Sequence, residues 1–163
     1  MLPYPIEHMV KRVRALHELV RSEVRAQLGQ HSTEWFTQAV EGVGDTQFRL
    51  DLQVEPLIVQ FCQQWAQEVP FILVAEGLSE EGRIVLPEGT RPQEAQFILI
   101  LDPIDGTRML MYDKRSAWCL TGIAPCQDGE ATLADIVIAV QTELPTSRQY
   151  LADTLWAVRG QGA

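Results

Sequence analysis

Apolar residues recur at intervals of three and four between Pro5 and Leu28: Ile6, Met9, Val10, Val13, Leu16, Val20 and Val24. Glu7, Lys11, Arg14, Glu18, Arg21 and Arg25 fill much of the remainder. This is the period of an amphipathic helix with one stripe toward a core, and Gly29 is its stop signal. His8 and His17 are not at ligand spacing and read as structural. Residues 31–50 read as irregular, with a turn at Glu41-Gly42-Val43-Gly44-Asp45. A second helix opens near Asp51 and gathers Val54, Leu57, Ile58, Phe61 and Trp65 on one stripe. Pro56 fits best in its first turn, where a missing N–H costs nothing. The helix ends before Pro70.

From Phe71 the pattern changes. Phe71-Ile72-Leu73-Val74-Ala75 and Phe97-Ile98-Leu99-Ile100-Leu101 are short unbroken apolar runs, each predicting a strand covered on both faces. Ile84-Val85-Leu86 is a short strand candidate, and Pro87 to Pro92 is a loop. Ala117 to Ala124 and Ala131 to Gln141 predict a hairpin turning at Gln127-Asp128-Gly129-Glu130. A second hairpin is expected from about Arg148 to Arg159, turning near Asp153. Helices first and mostly antiparallel strands afterwards predict an α+β layered fold, two long helices on a largely antiparallel sheet.

Composition narrows the picture. At 163 residues the chain suits one domain with a real core. A formal net charge of −9 repels phosphate backbones and argues against a nucleic-acid scaffold as partner. The same balance suits a protein that concentrates divalent cations. Three cysteines with no Cys-x-x-Cys pair argue against a disulfide framework or zinc knuckle, so a cytoplasmic setting is expected. No apolar stretch approaches a membrane span, and Met1-Leu2-Pro3-Tyr4-Pro5 lacks a signal-peptide layout. Lys114-Arg115 beside Asp113 reads as a solvated turn, the tryptophans as packing residues, and Cys119 as a buried small residue.

Each of the two apolar runs ends in a carboxylate, Glu76 after the first and Asp102 after the second. If the strands are neighbours and run the same way, both acids emerge at one sheet edge. Asp105 follows three residues after Asp102, across a stiffening Pro103. Carboxylates so close repel unless a cation lies between them, and Mg²⁺, with its preference for oxygen ligands and retained waters, suits the place. Gly106 permits close backbone approach, the first amides of the segment after it can donate to phosphate, and Thr107 adds a hydroxyl that can orient a water. Turn and cap chemistry is the bland alternative for any isolated Asp-x-x-Asp-Gly string. The context after a buried strand, with Glu76 upstream, favours a metal-assisted phosphate site.

Asp102-Pro103-Ile104-Asp105-Gly106-Thr107 resembles the signature of the inositol monophosphatase family, of the lithium-sensitive phosphatase superfamily that includes fructose-1,6-bisphosphatases and nucleotide 3′-phosphatases. Glu76 resembles the family's upstream metal-binding Glu. Gly44-Asp45 through Asp51 resembles its Asp-rich loop entering the second helix, which puts Asp51 with Glu76 and Thr107 in the catalytic set. Trp156 to Ala163 resembles the family's strand ending in Gly-x-Gly-Ala. The resemblance implies a first metal on Glu76, Asp102 and the Ile104 carbonyl, and a second on Asp102 and Asp105. It implies phosphate on the Gly106 and Thr107 amides, and an attacking water oriented by Thr107 with Glu76.

This sequence departs from the family pattern at Gly77, where many relatives have a second Glu, and at Arg108-Met109-Leu110. It contains no Trp-Asp pair, the family's later metal-ligand motif. The chain is therefore expected to be the family's N-terminal portion or a shortened relative. The expected activity is Mg²⁺-dependent hydrolysis of small phosphorylated metabolites, with Mn²⁺ as an alternative ion and little turnover by this length alone. A sugar-bisphosphatase or nucleotide 3′-phosphatase is a variant of that reading. A non-catalytic metal- or phosphate-binding regulatory relative is the alternative class. An unfinished sheet edge after Ala163 would invite self-association into a homo-oligomer.

Overall fold

The computed structural model describes residues 2–29, 38–41, 46–75, 78, 79 and 81–162, with the backbone alone for 38–41 and 46–49. Expectations for Glu76, Gly77, Gly44, Asp45, Trp35 and Ala163 lie outside the described residues. Helix α1 spans Ile6–Gly29 and buries Met9, Val13, Leu16, Val20 and Val24, the stripe the periodicity predicts. Strands β1 (Gln38–Glu41) and β2 (Thr46–Phe48) pair antiparallel within the stretch expected to be irregular. Their three and four residues are too few for a periodic signal to emerge.

Helix α2, Arg49–Ala66, begins before the expected Asp51 and places Pro56 in its interior. Proline there removes a bond to the carbonyl of Leu52, but both residues lie on the exposed side, where water can meet that carbonyl. The described helices include none long and apolar enough to cross a membrane.

The main sheet contains β3 (Phe71–Val74), β4 (Arg83–Leu86), β5 (Phe97–Asp105), β6 (Ala117–Pro125), β7 (Ile138–Leu144) and β8 (Thr154–Val158). Their order is β4-β3-β5-β6-β7-β8, and only the β3–β5 pair is parallel. Two long helices on a largely antiparallel sheet is the α+β arrangement the sequence predicts. Trp65 packs on Phe71 and Phe97 with ring centroids 5.2 and 5.4 Å away, joining α2 to the parallel pair.

Three expectations need correction. Strand β5 is not covered on both faces: Phe97, Leu99 and Leu101 are buried, whereas Ile100 and Asp102 are exposed. An apolar run fits two-sided cover, but α1 and α2 both lie on one face. Strand β7 starts only at Ile138, because Thr132 and Asp135 close a short 3-10 turn over 133–135, with the Asp135 carboxylate accepting the Thr132 N–H at 2.8 Å. The expected hairpin over 148–159 is a single strand, β8, paired with β7. Its approach loop is held by Asp113, whose carboxylate accepts the Ser147 N–H at 2.7 Å and the Ser147 hydroxyl at 2.8 Å.

Candidate active site

The parallel pairing of β3 and β5 meets the condition set by their two terminal acids: neighbouring strands running the same way. The pair ends in register at Val74 and Ile100, two residues before Asp102. Strand β5 continues past that point, and its register against β6 slips between Asp102 and Asp105, opposite Leu120 and Trp118. Such a bulge bends the strand and re-aims its side chains. Here it turns Pro103-Ile104 out of the ladder and leaves both Asp102 and Asp105 exposed. Ile104 is buried and pins the turn to the core.

The turn is closed by its own side chains. The Ile104 N–H donates to Asp102 Oδ1 at 3.1 Å. Gly106 has φ 97° and ψ 23°, a left-handed conformation that a side chain would strain. Beyond it α3, Thr107–Met111, draws its first bonds from the Met109 and Leu110 N–H groups to the Gly106 carbonyl. The amides of Gly106 and Thr107 precede that ladder, where a helix has no internal acceptor for its N–H groups.

The Thr107 hydroxyl lies 2.7 Å from the Ile104 carbonyl oxygen and 3.1 Å from Asp51 Oδ1. Its one hydrogen is donated to these two acceptors, so its lone pairs face any further partner as acceptors. Asp51 stands in the first turn of α2, where the helix terminus favours a negative charge. The structure thus ties Asp51, Thr107, Ile104 and Asp102 into one hydrogen-bonded chain across 56 positions of sequence. The resemblance put Asp51 and Thr107 in one catalytic set, and the direct contact between them is what the structure adds. The available signal was an acid at the start of a helix, which by itself reads as a cap.

Cys119 lies in β6, fully buried. Burial first, and the Asp102 charge second, raise its thiol above the ordinary cysteine range. Shielded in the core, the thiol stays protonated at neutral pH. Around the turn the donors are therefore oxygens: the Asp102 and Asp105 carboxylates and the Ile104 carbonyl. Among the described residues no three His, Cys, Asp or Glu side chains converge on one point.

No model of a protein family matches this sequence, and no curated protein matches it. Solved structures do. Fructose-1,6-bisphosphatase of Leishmania major aligns over 91% of this chain and 46% of its own, with 13% identity and a TM-score of 0.67. The suppressor protein suhB of Bartonella henselae aligns over 94% and 50%, with 16% identity and a TM-score of 0.64. Staphylococcal inositol monophosphatase-1, in a LiCl-soaked inhibitory complex, aligns over 98% and 50%, again with 16% identity and a TM-score of 0.64. The fold is that of the inositol monophosphatases and fructose-1,6-bisphosphatases. This chain spans about half the length of the structures it matches.

Proposed function

We propose that the chain carries the metal-binding portion of a phosphomonoesterase site for small phosphorylated metabolites. The observation that carries this reading is the Thr107 hydroxyl, held between Asp51 and the Ile104 carbonyl beside two exposed carboxylates. The donor set fits a hard cation that prefers oxygen and keeps several waters, which favours Mg²⁺ and permits Mn²⁺. Asp102, Asp105 and the Ile104 carbonyl would hold it, with Glu76 as the further carboxylate. When bound there, the ion supplies Lewis-acid polarisation of a phosphoryl oxygen.

The protein groups have separate tasks. Thr107, donating toward Asp51, accepts a hydrogen from a water and so turns that water's lone pair outward. Asp51 stabilises the positive charge that develops along this relay as the water attacks phosphorus. The amides of Gly106 and Thr107 receive phosphoryl oxygens. The reaction class is hydrolysis of a phosphate monoester by direct water attack. A sugar-bisphosphatase or nucleotide 3′-phosphatase would use the same groups.

Calorimetric titration with Mg²⁺ and Mn²⁺ tests the reading. Asp102→Asn should weaken binding by about tenfold or more, the effect of removing one close charge in a partly exposed site. Glu88→Gln, a change at an exposed loop position, should leave it unchanged. Equal affinities for wild type and Asp102→Asn would remove Asp102 from the site.

A further inference from the structure

A second polar groove, about 380 Å³, lies between α1 and the outer strands of the sheet. Lys11, Arg14, Glu18 and Arg21 line it from the helix, and Thr142 and Thr154 line it from β7 and β8. Thr142 and Thr154 are paired in register, and Thr142 belongs to the buried, helix-covered side of β7. Asp102 belongs to the opposite face of the sheet, three strands away in the order β5-β6-β7-β8. At ordinary strand spacing that is a lateral separation of about 14 Å. The groove and the Asp102–Thr107 turn are separate places.

Charge in the groove runs against the rest of the molecule. The whole chain carries −9, yet the lining has three cations and one carboxylate. Glu18 is matched by an ion pair with Arg21 and also accepts the Ser22 hydroxyl, so it adds little free negative charge. Among the described residues Lys11 and Arg14 pair with no carboxylate. The Arg14 guanidinium instead lies over the Trp156 ring, 4.9 Å from its centroid, which fixes its position beside the groove. Opposite these cations, the Thr154 hydroxyl donates to Thr142 Oγ1 at 3.3 Å, and Thr142 in turn contacts His17 Nδ1 at 2.9 Å. His17 is buried and neutral, so this wall contributes hydroxyls without a further charge. Two unmatched cations in a concave space whose far wall carries no charge make a seat for a compact anion.

From this arrangement we infer that the α1–β8 groove is a second anion site, which takes the phosphate group of a small metabolite without a metal ion. Lys11 and Arg14 supply both the charge and the hydrogen bonds, because the Thr154 hydroxyl already donates its hydrogen to Thr142. The inference does not depend on the phosphatase reading, because the two sites differ in residues and in their need for metal.

The test uses inorganic phosphate as the probe, with the 163-residue chain in EDTA at constant ionic strength. Amide shifts should be concentrated between Lys11 and Arg21 and at Thr154, with affinity on the order of millimolar. Chloride at equal ionic strength should not reproduce them. Lys11→Ala with Arg14→Ala should weaken binding about tenfold. Thr154→Val should leave it nearly unchanged, and Glu18→Gln should strengthen it, since it removes the one lining carboxylate. Circular dichroism of each variant confirms that α1 is intact. Metal-free shifts confined to 102–107, shifts equally produced by chloride, or the absence of shifts would each overturn the second site. None of those results would bear on metal binding at Asp102.

Discussion

The two faces of the central sheet are built from neighbouring residues and have opposite fates. On one face Leu99, Leu101, Ile123 and Val140 are buried under α1 and α2. On the other, Ile100 remains 36% exposed and Leu155 46% exposed, although both are apolar. A groove of about 560 Å³ runs over that bare face, lined by Ile100, Asp102, Leu120, Ala139, Leu155 and Ala157. Asp102 stands at its edge. The covered face also contains a buried polar cluster of His17, Thr121 and Thr142. His17 meets Thr142 at 2.9 Å and Thr121 at 2.7 Å, so both ring nitrogens are satisfied by hydroxyls from two strands. The difference teaches that stability and chemistry are divided between the faces. The core is built behind the sheet, and the Asp102 carboxylate opens in front of it.

The largest effect should come from substituting adjacent residues that point in opposite directions. Leu99→Ala, on the covered face, should cost about 3 kcal/mol through lost burial and the cavity left behind. Ile100→Ala, one residue along, should cost less than about 1 kcal/mol because water already reaches that side chain. Urea unfolding of the two variants measures this, and equal losses would show that the front face is covered in solution.

The His17 cluster should give a pH-dependent effect on the covered face alone, absent at neutral pH and reaching its full size only in acid. Burial lowers its imidazole from 6.5 to about 4. The unfolded chain then binds a proton that the folded chain refuses between these values, so stability is full above pH 6.5 and falls as pH drops toward 4. The loss should approach roughly 3 kcal/mol, the value of a shift of that size. His17→Gln should flatten that slope, at the cost of some stability at neutral pH. A slope unchanged by His17→Gln would assign the acid sensitivity to other groups.

The smallest change in stability should accompany the clearest change in surface character. Ile100→Ser with Leu155→Ser should leave the unfolding midpoint nearly unchanged while reducing the binding of a hydrophobic dye. Undiminished dye binding would place the exposed apolar surface elsewhere, and the contrast between the faces would lose its meaning.

What could be read from the sequence was what neighbours along the chain decide together. The stripe of α1, the apolar run of β5 and the turn at Asp102–Thr107 all depend on spacings of a few residues. Steric preference and periodic burial act at that range, so the residues carry the signal themselves. Boundaries were less legible: Thr132 and Asp135 diverted an apparent strand into a 3-10 turn, and Arg49 rather than Asp51 opened α2. The partner of Thr107 is 56 positions away, and the partners of His17 are 104 and 125 away. No spacing rule reaches that far, because such contacts exist only after two elements have packed and closed the loop between them. The same holds for the faces of the sheet. Alternation along β5 separates Leu99 from Ile100, but only the packing of both helices on one side decided which of them would be buried.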